Sequence, residues 1–313
     1  MHLLEMKPAA AELALGVMRR VARADGEDGA ETRLIEVAGG LLGVDPTHPP
    51  VELDALRRAS LDARDARRIV QAAILTALAD GHVDPSEVAE VKAIAAALGV
   101  EEPRVKNLAQ VAEGRLKMLW LDLARRSWAR DVFMDALHRQ GLGGVWKIVG
   151  PMIGRAKDPA LAQRYLALGE LPEDTMGYRY FRFITDNDLG FPGEPYGVAE
   201  SGIWHDCSHV LGGFGIEPAE EIQVVSFIAG FSKQDPFFWL FTITLQFHLG
   251  IGVSPYSAPE KGLFDPERVF AAFERGAAMN EDLSAPGWDP WVWFDQPLEA
   301  ARKALGVPPR ASR

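Results

Sequence analysis

Three observations predict an all-α protein built from two helical domains. Ala9–Arg23 is rich in Ala and Leu, and Leu13, Val17 and Val21 return at the spacing of one helix face. No run alternates apolar and polar residues well enough to read as a strand. Asp25-Gly26 and Asp80-Gly81 each follow a helix ending in Ala, precede an acidic turn and lead to a helix that closes on Leu-Gly-Val, which makes a degenerate repeat offset by 55 residues. Neither copy can bury its apolar stripes alone, so the two helical hairpins pack on each other.

In order along the chain, the first helix ends at Gly26, and a second runs from about Ala30 to Leu42, stopped by Gly43 and Pro46. The Pro-rich segment from Asp45 to Ser60 holds a short helix. Arg64–Ala79 is helical, and Asp84 or Ser86 caps the next helix with Pro85 at its first position. A linker is expected near Pro103 to Glu113, then a long helix to Arg139 with Leu116, Leu119, Trp120, Leu123, Phe133 and Leu137 as apolar points. GLGG at Gly141–Gly144 lacks a preceding strand and the glycine spacing of a dinucleotide fingerprint, so it reads as a turn. Further helices are expected at Ala160–Leu168, Asp174–Asp186, Ile203–Leu211, Pro218–Phe231, Phe237–Leu249 and Pro266–Asn280, with a short one in the tail.

Lys and Arg number 33 against 44 Asp and Glu, a net charge of -11, which argues against a nucleic-acid surface. Hydrophobic residues make up 48% of the 313 and charged residues 25%, enough apolar side chain for real cores. The single Cys207 has no internal partner, which points to a reducing, cytoplasmic setting. The N-terminal stretch carries Glu5, Lys7 and Glu12 and lacks the pattern of an export signal. The most apolar segment, Phe237–Val253, contains Gln246 and His248 and is short for a bilayer helix, so it reads as an interior helix or one that faces bound lipid.

Residues with metal-binding chemistry converge in WHDCSHVLGGFGIEPAEE. His205 and His209 are one helical turn apart, and on a wheel of about 100° per residue Asp206 shares their arc while Cys207 points away. Cys207 is therefore read as a small buried residue. Gly212, Gly213 and Gly215 turn the chain, and Pro218 starts a returning helix that aims Glu221 back at the imidazoles. Two imidazoles with one or two carboxylates suit Zn2+, and also Fe2+ or Mn2+. Asp206 binds the ion, accepts a proton or orients a histidine. His248 reads as a hydrogen-bonded core histidine. Arg179 and Arg182 share a helix face and either hold an acidic group or pair with Asp186 and Asp188. Phe227, Phe231 and Phe238 either fill a core or line a greasy cleft. The acidic turns at Asp25, Asp28, Glu31 and at Asp80, Asp84, Glu87 read as helix caps or as oxygen ligands for a hard cation.

HDCSH followed by Glu221 fits the HDxxH-x11-E pattern of the ubiquinone biosynthesis protein 4 family, and LPEDTMGYRYFRF resembles that family's LPExTxGxxYxxF segment in the right order. The likeness covers about Leu119 to Leu283. It implies an all-helical domain over 111–313 with His205, Asp206, His209 and Glu221 as ligands, usually to zinc. It implies a role in coenzyme Q assembly at a membrane surface and within a larger complex: removal of the ring C1 carboxylate with hydroxylation, or the holding of prenylated intermediates. The isoprenoid tail would then lie along Phe227–Phe241, with Arg179 and Arg182 toward an acidic group. Ala24–Val100 resembles the TerB fold named for tellurite resistance, which gives a first domain over 1–110.

Three functions follow. The first is an enzyme acting on a prenylated aromatic ring or quinone precursor, with Asp206 and Glu221 as the proton-handling catalytic groups. The second is a non-catalytic carrier of prenyl lipid with a structural metal. The third is a stress-response scaffold led by the TerB-like domain. A greasy face of Leu116, Leu119, Trp120 and Leu123 beside Arg125, Arg126 and Arg130 either places the protein on the inner face of the membrane or packs inward. A homo-oligomer or a biosynthetic complex is compatible with each.

Overall fold

The computed structural model describes residues 5–26, 28–127, 157–254 and 257–310, with single positions between 134 and 155. Fifteen α-helices and no strand occur among the described residues. They form two compact units: Met1–Asp122 with Asp235–Ala271, and Leu123–Gln234 with Ala272–Arg313.

The first unit is built on the repeat. α1 (Pro8–Ala22) and α2 (Gly29–Leu42) make one hairpin, α4 (Ala63–Thr76) and α5 (Pro85–Leu98) the other, with α3 (Leu53–Arg58) between them. α1 packs along α4 and also meets α2 and α5, so the copies bury each other's stripes. Leu15, Leu34, Ile35, Ile69, Val70, Ile74, Val91 and Ile94 are fully enclosed, each worth about 1.5–3 kcal/mol. The same residues start and stop both copies. Asp28 and Asp84 are N-caps in complete capping boxes with Glu31 and Glu87, and Gly43 and Gly99 end the helices in left-handed geometry.

Two sequence expectations need correction here. The segment taken as a linker is α6 (Pro103–Ala112). Pro103 occupies the first turn, where its missing N–H costs nothing, and the Glu102 carboxylate accepts from the Arg104 amide at 3.2 Å. The first unit also reaches beyond residue 110, because 235–271 joins it. Arg104 donates two bonds to Asp235, at 2.9 and 2.8 Å, just before α12 (Pro236–Phe247). His248 donates through Nε2 to the Ala79 carbonyl at 2.9 Å and accepts at Nδ1 from the Phe264 amide at 3.2 Å. Both ring nitrogens are thus used, as a core histidine requires. The interior reading of the apolar segment holds: Phe237, Phe241 and Phe247 are buried. Among the described residues no helix is long and apolar enough to cross a membrane.

α7 (Leu116–Ala124) is shorter than the expected helix to Arg139. Arg130, Phe133 and Gly144 lie outside the described residues.

The second unit contains α8 (Pro159–Leu166), α9 (Met176–Asp186), α10 (Ile203–Gly212), α11 (Pro218–Phe231), the later part of α13 (Pro266–Ala277), α14 (Trp291–Phe294) and α15 (Leu298–Leu305). Thr175 caps α9, accepting from the Tyr178 amide at 3.2 Å. α9 lies on α10 and α14, and α10 lies on α11 and α15. Tyr165, Tyr180 and Phe294 cluster beneath α9, with ring centroids 5.5–6.4 Å apart. α11 and α13 approach so closely that a Cβ on Gly276 would stand 1.9 Å from the Phe227 carbonyl oxygen.

Candidate metal centre

The site is a hairpin of two helices. α10 presents His205 and His209 one turn apart, as the i,i+4 spacing dictates. It ends at Gly213, whose φ of 71° is the left-handed cap that lets the His209 carbonyl accept the Gly213 amide at 2.8 Å and the Phe214 amide at 3.0 Å. Pro218 then opens α11, and Glu221 lies in its first turn.

Three ligand atoms converge. His205 Nε2 and His209 Nε2 are 3.2 Å apart. Glu221 places Oε2 3.7 Å from His205 Nε2 and Oε1 3.4 Å from His209 Nε2. Two donors about 2.1 Å from one ion at a tetrahedral angle stand about 3.4 Å apart, so these separations fit a zinc-sized cation. The side chain of His209 is 2% exposed, that of Glu221 19% and that of His205 33%, so the trio opens toward solvent on the His205 side.

The surroundings fix the trio. His209 Nδ1 lies 3.1 Å from the Gly215 carbonyl, a contact that favours the proton on Nδ1 and, in the neutral ring, leaves Nε2 for a metal. Phe183 of α9 stacks on the His209 ring at 5.0 Å. Burial by itself would raise the Glu221 carboxyl and lower the His205 imidazole. Their mutual hydrogen bond and charge prevail, with His209 also acting on Glu221, so Glu221 is pulled down to about 2 and His205 is raised.

Asp206 is not part of this trio: the ligand atoms that come within 4.8 Å of one another belong to His205, His209 and Glu221. Burial raises the Asp206 carboxyl against the pull of the two histidines. One methylene of reach and a wheel position about 100° from His205 carry it to the flank. Cys207 is fully buried, and burial pushes its thiol up, which agrees with a packing role.

The phenylalanines expected to line a core or a cleft are buried. Phe227 and Phe231 are enclosed, their rings 5.5 Å apart edge to face, with Phe214 5.7 Å from Phe227. They are core of the second unit, because α11 has apolar residues on nearly every face. Phe238 belongs to the first unit and is also buried. Arg182 is engaged with Asp186 through both carboxylate oxygens, the closest contact 2.9 Å. Arg179 is exposed on α9.

A second convergence lies in the first unit. Asp25, Glu31 and Glu87 bring carboxylate oxygens within 4.8 Å of one another. Glu31 and Glu87 are each 3% exposed, and a side-chain hydrogen bond links the two carboxyl groups. Burial, with the charge of Asp25 beside it, lifts Glu31 to about 7 and Glu87 to about 8. The Oε2 atoms of both serve the capping boxes, at 3.0 and 3.1 Å from the Asp28 and Asp84 amides.

Sequence reasoning missed the Gly215 carbonyl and Phe183 as supports of His209. A backbone acceptor six residues on carries no side-chain signal, and Phe183 reads as one more apolar position of α9.

Fold and site together give an all-helical protein whose second unit, among the described residues, brings together two histidines and one carboxylate that could hold a metal ion. Residues 53–110 match the family described as Tellurite resistance protein TerB, so that segment is a TerB domain. It takes in α3 to α6, hence the second copy of the repeat, and ends well before the histidines. No curated protein matches the chain.

Proposed function

We propose that the chain is a divalent-metal protein acting on prenylated quinone precursors, with its centre at His205, His209 and Glu221. The observation that carries the metal reading is the convergence of three ligand atoms at tetrahedral spacing, with the Gly215 carbonyl holding the inner histidine's tautomer. Three protein ligands leave one position for substrate or water, which favours an enzyme over a carrier with a closed four-ligand shell. A cation bound there supplies Lewis-acid polarisation of a substrate oxygen. The chain's own part is to hold that position open beside His205 and to keep the Asp206 carboxyl nearby for a proton. Zn2+ fits the spacing best, and Fe2+ or Mn2+ accept the same donors.

The substrate class rests on the two sequence motifs at Leu171–Phe183 and His205–Glu221. Arg179, exposed on α9, is the cation this reading assigns to an acidic ring substituent. Membrane contact belongs to the same reading: Leu116, Met118, Trp120 and Leu121 of α7 are exposed, whereas Leu119 and Leu123 point inward.

Elemental analysis of the purified protein, with mass spectrometry of its extractable lipids, tests the proposal. One equivalent of metal and a prenylated ring compound are expected. Neither metal nor prenyl lipid in the preparation overturns it.

A second reading follows from the TerB match and the Asp25, Glu31 and Glu87 group: a stress-response scaffold that takes a hard cation in its first unit. The approach of these three carboxylates within 4.8 Å, two of them buried, favours a ligand there. Calorimetric titration with Ca2+ decides it, and the absence of heat in the wild type, with no dependence on Glu31→Gln, removes it.

A further inference from the structure

The tail of the chain reaches back to the hairpin that forms the centre. Arg302, on α15, donates to the carbonyls of Leu211 at 2.9 Å and Val210 at 3.0 Å, the free C-terminal end of α10. Arg310 goes further into the turn. It donates to the Gly213 carbonyl at 2.5 Å, to Glu220 Oε1 at 2.9 Å and to Gln223 Oε1 at 3.1 Å, and it meets Glu220 Oε2 at 2.8 Å. Its guanidinium lies 4.6 Å from the Phe214 ring centroid. The chain beneath it is pinned by Arg275, which donates twice to the Pro308 carbonyl, at 3.0 and 3.1 Å.

Glu220 passes the contact on. Its Oε2 accepts from the Gly215 amide at 3.4 Å. The Gly215 carbonyl is the acceptor for His209 Nδ1 at 3.1 Å. The neighbouring residue on α11 is Glu221, the carboxylate of the trio.

We propose that Arg310 is a positioning residue for the centre: through Glu220 and the Gly215 backbone it fixes the orientation and tautomer of His209. The inference rests on the metal reading for its purpose, though not for its geometry. A bidentate, planar guanidinium is suited to hold a carbonyl and a carboxylate at once, which an ammonium does less well.

The test uses the full-length chain and two readouts. In metal-free, 15N-labelled protein at pH 8, the long-range 1H–15N spectrum of His209 should show a proton on Nδ1 and none on Nε2. Arg310→Gln should mix the two tautomers and weaken Zn2+ binding, measured against a chromogenic chelator, by about 10- to 100-fold. Arg310→Lys should restore part of both. Arg302→Gln is the structural control: it loosens the end of α10 without touching the relay, so it lowers the melting temperature and leaves the His209 pattern intact. If Arg310→Gln also lowers only the melting temperature, the proposal is overturned. If the wild type takes up no zinc yet the His209 spectrum responds to Arg310, the metal reading fails and the positioning role stands.

Discussion

Glu221 Oε1 stands 3.4 Å from His209 Nε2, although a glycine turn and a helix start separate them in sequence. That distance is the product of two caps: the left-handed Gly213 that ends α10 and the Pro218 that opens α11. It makes the centre a property of the turn as much as of its ligands. It also divides the four residues of the HDxxH and Glu pattern into three that meet and one, Asp206, that stands aside.

Metal retention should follow that division. His205→Ala, His209→Ala and Glu221→Ala each remove one of three donors and should lower bound zinc from one equivalent to near zero after dialysis. Asp206→Asn should keep zinc near one equivalent and lose turnover on the proton-handling step. Plasma mass spectrometry on the four variants reads the result. Loss of zinc in Asp206→Asn equal to that in His209→Ala would make Asp206 a ligand and close the open position.

The first unit should lose stability as pH rises from 5 to 8.5 in the presence of a chelator. Burial keeps Glu31 protonated to about 7 and Glu87 to about 8 in the fold, whereas an unfolded glutamate ionises near 4.5. Below that value both states carry the proton and the native contacts are whole. Above it the unfolded chain ionises first, so the folded state falls behind until the folded pKa values are passed. The expected loss is several kcal/mol. Glu87→Gln keeps the capping box, since an amide oxygen also accepts from the Asp84 amide, and should flatten the slope. Urea unfolding at pH 5, 7 and 8.5 measures it; an unchanged slope in Glu87→Gln would sink the assignment.

Much of this was legible in the sequence, and the reasons differ by element. The repeat was readable because capping chemistry is local: Asp28 with Glu31, and Asp84 with Glu87, need only neighbours to act. His205 and His209 were readable because helix geometry fixes the i,i+4 relation. Glu221 needed the glycines and Pro218 as well, and those too are local signals. What stayed hidden depends on distant partners. Pro103 reads as a break or as a helix start, and only the burial of Leu108 and Asn107 decides for the helix. Asp235 gives no hint that Arg104, 131 residues earlier, is its partner. Arg310 reads as a solvated charge near the end of the chain until the Gly213 carbonyl is seen beneath it.

Phe227 tests the core reading against the lipid-cleft expectation. Its ring is fully buried between Phe214 and Phe231. Phe227→Ala should therefore destabilise the second unit by about 3–5 kcal/mol, the usual cost of emptying a core aromatic site. Arg182→Ala removes an exposed i,i+4 pair with Asp186 and a side-chain contact with Tyr178 and should change stability by less than about 1 kcal/mol. Denaturant titrations of the two variants make the comparison. A Phe227→Ala variant of native stability that has lost a co-purifying lipid would restore the cleft.

Membrane adhesion, if α7 mediates it, depends on one arc of that helix. Leu119 and Leu123 are 1% and 5% exposed and pack inward, so the greasy face read from the sequence splits in two. The outward part is Leu116, Met118, Trp120 and Leu121, with Trp120 55% exposed. Lys117 lies within that arc, and Arg115 precedes it. An apolar strip with basic neighbours is the pattern of a helix that lies in an interface, where indole rings favour the headgroup level. On a chain of net charge -11 the attraction is local, so anionic vesicles should bind it only at low ionic strength. Flotation with phosphatidylglycerol vesicles at 20 mM salt should carry the wild type upward, and Trp120→Glu with Leu121→Glu should leave it at the bottom. Wild-type protein that stays at the bottom at low salt rejects adhesion through α7, and double-variant protein that still floats assigns it to another surface.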